Sequence, residues 1–71
     1  MLNDKNVIIT YLKYYGYKLR KYEDDWMLIY KDNFFRTDER VLYQMEMEGT
    51  LQIERVNDEF TEMRLTSYEP A

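Results

Sequence analysis

The sequence predicts an α+β fold, an N-terminal helix packed on an antiparallel sheet made of a hairpin and a three-stranded meander, in the order αβββββ. Three observations predict it. An amphipathic stretch with capping residues at both ends opens the chain, a run rich in aromatic residues around an acidic pair follows, and the last third alternates apolar and polar side chains.

The helix is expected over residues 4–15. Asn3 is a good N-cap, Asp4 lies where the helix dipole favours an anion, and Gly16 follows the last periodic residue. Ile8, Tyr11, Leu12 and Tyr15 recur at i, i+3, i+4 and i+7, so they form one apolar stripe, with Lys5, Lys13 and Tyr14 turned elsewhere.

Beyond Gly16, residues 17–23 and 26–31 read as two strands joined by a tight turn at Asp24-Asp25. Asp32-Asn33 reads as a turn, and Phe34-Phe35-Arg36 as a connector with both rings buried. Trp26 to Tyr30 are five apolar residues in a row, which cannot all face one core. Either the strand is covered on both sides, or one side forms an exposed apolar patch.

The last third can be tested by parity. With Glu48-Gly49-Thr50 as a three-residue loop, Met47 pairs with Leu51, Met45 with Ile53 and Tyr43 with Arg55; with Asn57-Asp58-Glu59 as another, Ile53 pairs with Met63 and Leu51 with Leu65. Val41, Tyr43, Met45, Met47, Leu51, Ile53, Met63 and Leu65 then share a dry face; Gln44, Glu46, Glu48, Gln52, Glu54, Glu62, Arg64 and Thr66 share the wet one. A helix over 38–48, capped by Thr37 and ended by Gly49, competes with the strand there, and the shared dry face favours the strand.

At 71 residues the chain is expected to form a single domain, 1–71, with Glu69-Pro70-Ala71 as a frayed tail. Its 45% apolar content and one proline mark a folding sequence. The absence of cysteine excludes disulfides and thiolate metal sites and leans to the cytoplasm; the absence of histidine removes the commonest general base and zinc ligand. Ser67 and the threonines have no histidine to activate them, and neither a phosphate-binding glycine loop nor a calcium loop is present. No enzyme activity, cofactor or metal is therefore expected. Val7 to Thr10 and Trp26 to Tyr30 are too short for a signal core or a membrane span. Scarce alanine and glycine beside eight tyrosines suggest an AT-rich coding sequence, as in bacterial or phage genomes.

Charge is uneven: residues 1–36 hold seven cations against five carboxylates, and residues 37–71 hold three against nine. The leading expectation is a small regulatory or inhibitory protein whose acidic sheet face, Glu46, Glu48, Glu54 and Glu62, meets a partner protein with a basic surface. In its register Glu54 lies opposite Glu62, a repulsion that needs a compensating cation. The bland counterpart is a solubilising surface. Second comes single-stranded nucleic-acid binding by Lys13, Tyr14, Lys18, Arg20 and Lys21, where cations and rings interleave, set against ordinary amphipathic packing of the same residues. A homodimer joined through its oppositely charged halves is the third.

Overall fold

In the computed structural model, which describes residues 1–55 and 57–66, helix α1 (Lys5–Tyr14) starts where the Asp4 carboxylate accepts hydrogen bonds from the backbone N–H groups of Asn6 and Val7. The cap is thus Asp4 rather than Asn3. The frayed tail expected at 69–71 lies outside the described residues. Strands β1 (Lys18–Tyr22) and β2 (Asp25–Tyr30) form the expected hairpin, but the turn is Glu23-Asp24 rather than Asp24-Asp25: Glu23 takes φ 57° and Asp25 already pairs with Tyr22.

Residues Asn33–Arg36 form strand β3, not a connector, and their two rings are exposed rather than buried, Phe34 to 65%. The turn before it is made by Lys31-Asp32, and Asn33 already pairs with Tyr30. The N-terminal segment covers part of β3's outer edge: the Leu2 N–H donates to the Arg36 carbonyl and the Asp38 N–H to the Leu2 carbonyl.

The main correction concerns residues 38–48, which form helix α2 (Glu39–Met47) instead of a strand. Asp38, not Thr37, caps it, accepting from the Arg40 N–H at 3.0 Å. Gly49, at φ 86°, ends it: the Thr50 N–H bonds the Met45 carbonyl and the Gly49 N–H the Glu46 carbonyl, satisfying two orphan carbonyls. Leu42 and Met45, three residues apart, are fully buried, whereas Tyr43 and Met47, which a strand would have turned inward, are exposed. Thr37 is buried for another reason, its hydroxyl donating to the Trp26 carbonyl at 2.8 Å.

Strands β4 (Leu51–Arg55) and β5 (Thr61–Leu65) keep the predicted register, with Leu51 opposite Leu65, Ile53 opposite Met63 and Glu54 opposite Glu62. The fold is α+β, with element order αβββαββ in place of αβββββ. The antiparallel sheet runs β3-β2-β1-β5-β4, with β1 in the centre.

Alternation along the strands gives each face its own residues. One row, Phe35–Leu28–Leu19–Met63–Ile53, crosses all five strands, buried in its middle and exposed at both ends. Both helices pack on this face, adding Ile8, Leu42 and Met45 to a core that also holds Trp26 and Leu51. Trp26 is therefore a core residue, while the five-residue apolar run splits, Met27 and Ile29 pointing to the other face.

Candidate interaction face

Among the described residues, no helix lies over the second face of the sheet. One residue along from the buried row, a parallel row reads Arg36–Met27–Arg20–Glu62–Glu54 across all five strands. Beside it a shorter row runs Phe34–Ile29–Lys18, and Tyr22 stands opposite Asp25.

An ion network occupies the middle of this face. Arg20 Nε donates to Glu62 Oε1 at 2.9 Å, and Arg64 Nε donates to Glu62 Oε2 at 2.6 Å and lies 3.1 Å from Glu54 Oε1. Glu62 is only 2% exposed although it lies on the uncovered face, because the two arginine side chains close over it. Desolvation pushes its carboxyl pKa up, but the hydrogen bonds from Arg64 and Arg20 outweigh that and hold it below its ordinary value. In return, the hydrogen bond to Glu62 raises the pKa of each arginine. The Arg20 guanidinium also stacks 4.2 Å from the Phe60 ring centroid, and Phe60 lies 5.4 Å from Tyr22.

This geometry corrects the expected acidic sheet face. Glu46 and Glu48 are on α2, where Glu48 pairs with Lys5 at 3.1 Å; Glu62 is occluded and doubly paired; Glu54 shares Arg64 with it. Arg64 is the cation that the Glu54–Glu62 pair requires. Lys18, Arg20, Arg36 and Arg64 against Asp25, Glu54 and Glu62 leave the open face near charge balance.

Of the basic and aromatic candidates, Lys13, Tyr14 and Lys18 gather around the junction of α1 and β1. Arg20 is committed to Glu62, and Lys21 falls in register with Trp26 and Thr61 on the helix side of the sheet. Sequence reasoning missed Phe34, Met27, Ile29 and Phe60 as members of one surface. The apolar run at Trp26 to Tyr30 was the available signal for Met27 and Ile29.

A cleft of about 380 Å³ lies where β2 begins, lined by Asp24, Asp25, Trp26, Arg36, Asp38 and Arg40 among others. Its carboxylates Asp25 and Asp38 are bound to Arg36 and Arg40, each at 3.1 Å. Trp26 Nε1 is buried with no hydrogen-bond partner. Among the described residues, no group of three or more His, Cys, Asp or Glu could hold a metal ion, and no helix is long and apolar enough to cross a membrane.

No protein-family model matches the chain, nor does any curated protein or solved structure.

Proposed function

We propose that this chain is a small non-enzymatic regulatory or inhibitory protein that works by occupying a surface on another protein, and that it seats that partner on the open face of its sheet. The observation that carries this reading is the one-sided packing: both helices lie on one face, and the other presents Met27, Ile29, Phe34 and the Tyr22–Phe60 pair around the Arg20–Glu62–Arg64 network. Aromatic residues, methionine and arginine are the types enriched at protein interfaces. A nearly balanced charge suits a folded protein surface better than a polyanion. The attraction to a basic surface moves to the end of the strands, where the β1–β2 turn holds Glu23 and Asp24 and the β4–β5 loop holds Asp58 and Glu59. The reading places this activity in the cytoplasm, where a chain without cysteine loses nothing to reduction.

A photo-cross-linking residue installed at position 34, with Gln44 on the exposed side of α2 as the control position, tests it in the expressing cell. A discrete protein adduct from position 34 and none from position 44 is expected. Equal labelling from both positions, or no adduct from position 34, refutes the use of this face.

A further inference from the structure

The end of the sheet where β1 begins and β2 finishes has a different chemistry. Five rings touch there: Tyr15 meets Tyr11 at 5.6 Å between centroids, Tyr11 meets Tyr17 at 4.8 Å, Tyr17 meets Tyr30 at 5.3 Å, and Phe35 lies against both Tyr11 and Tyr17. Tyr11 and Tyr17 are half-buried and anchor the array, while Phe35 and the end rings Tyr15 and Tyr30 are exposed, Tyr15 to 58% and Tyr30 to 37%. A mostly apolar hollow of about 240 Å³, lined by Asn6, Val7, Thr10, Tyr11 and Tyr15, flanks it.

Three of the lysines gather at this end, whereas Lys21 lies toward the other end of β1, beside Glu23, Asp58 and Glu59. Every arginine in the protein is ion-paired, to Glu62, Asp25, Asp38, Asp58 or Glu54. Lys13, Lys18 and Lys31 make no ion pair among the described residues; Lys13 and Lys31 lie over the rings of Tyr14 and Tyr30, at 5.4 and 5.2 Å. Asp32, in the β2–β3 turn, is the nearest carboxylate in sequence to Lys31. The acidic turn and loop are at the other end of five-residue strands, about 16 Å away, well beyond the Debye length of about 8 Å at physiological ionic strength. The net charge of −4 therefore does not describe what a ligand meets at this end.

From the exposed rings beside lysines that make no ion pair among the described residues we infer that this end binds single-stranded nucleic acid, with bases stacked on Tyr15 and Tyr30 and backbone phosphates held by Lys13, Lys18 and Lys31. Rings accept any base by its π-face, and lysines serve as point charges for phosphates. This site uses neither Phe34 nor the Arg20–Glu62–Arg64 network; Lys18, at the margin of the open face beside Ile29, is the one residue the two surfaces share, and Tyr15→Ala therefore tests this site apart from the sheet-face reading.

The test is fluorescence anisotropy with labelled 12-mers of oligo-dU and oligo-U, and a duplex of the same length, in 0.1 and 0.4 M salt. Saturable binding of at least one single strand is expected, with the tighter of the two naming the sugar it prefers and the duplex bound more weakly. Three phosphate contacts predict a log–log salt slope of about −2, or roughly an 18-fold loss of affinity across that fourfold range. The Tyr15→Ala variant is expected to weaken binding about 5- to 150-fold with the slope unchanged. The triple variant Lys13→Gln, Lys18→Gln, Lys31→Gln is expected to abolish the slope. All four residues are exposed, so the single tryptophan emission should confirm that both variants fold. No saturable binding of either single strand at 0.1 M salt, equal binding of the duplex, or a Tyr15→Ala variant that binds as the parent does would overturn the inference.

Discussion

Replacing Glu62 by glutamine keeps the side chain's shape and removes the charge that two arginines share. Two charge-assisted hydrogen bonds, at 2.9 and 2.6 Å, lose their ionic acceptor. Such bonds contribute about 1.5–3 kcal/mol each when well shielded. Here the arginine side chains are 28% and 55% exposed, so water takes back part of the loss, and the Gln carbonyl still accepts one hydrogen bond. Relief of the repulsion from Glu54 returns a few tenths of a kcal/mol. The net expected cost is about 1–2 kcal/mol at neutral pH, or a Tm lower by roughly 5–15 °C for a domain of this size. Urea and thermal unfolding followed by Trp26 emission measure it, since that residue is the single tryptophan and lies in the core. Because the folded-state pKa of Glu62 lies below the ordinary 4.5, its stabilisation is complete above that value and disappears as the pH falls through the depressed one. The gap between parent and Glu62→Gln should therefore close in acid. An unchanged Tm at pH 7, or a gap that does not narrow as the pH falls below 4.5, would refute the stabilising role of the network.

Two further substitutions probe the framework. Leu19→Ala empties the centre of the buried row, at a cost of about 2–5 kcal/mol, which is comparable to the whole stability of a core this small; the variant should be largely unfolded at 25 °C by circular dichroism, and a cooperative transition close to the parent's would contradict it. Gly49→Ala meets no atom within 4 Å, so only the strain of φ 86° acts, about 1–2 kcal/mol; a Tm lowered by about 5–15 °C is expected, and an unchanged one would mean that the end of α2 is free to rearrange.

Local signals made the first hairpin, α1 and the β4–β5 register legible. Each rests on neighbours in sequence: a cap, a glycine, a turn with alternating flanks. Residues 38–48 satisfied two periodicities at once, since Met45 is inward in both a strand and a helix. Leu42 decides the matter, because a strand would have placed it on the wet face and only a helix buries it beside Met45. The acidic face failed for a long-range reason. Glu62 was correctly set opposite Glu54, but nothing near it in sequence announces Arg20, which lies 42 residues away and arrives through the β1–β5 pairing. Phe34 was placed inside because a ring pair is usually buried; an edge strand on a sheet with one uncovered face left it out.

The central position of β1 has a consequence for how the protein is made. On the ribosome, β1, β2 and β3 can pair once residue 36 has emerged, but the other side of β1 must wait for β5. At ordinary elongation speeds the intervening 29 residues take on the order of 1–6 s. During that interval the nascent chain carries an unpaired edge at the middle strand of the future sheet, with Leu19 still lacking Met63 beside it. An unpaired strand edge is a template for another chain, so the interval before residue 65 is the one in which pairing between neighbouring nascent copies competes with the native β1–β5 pairing.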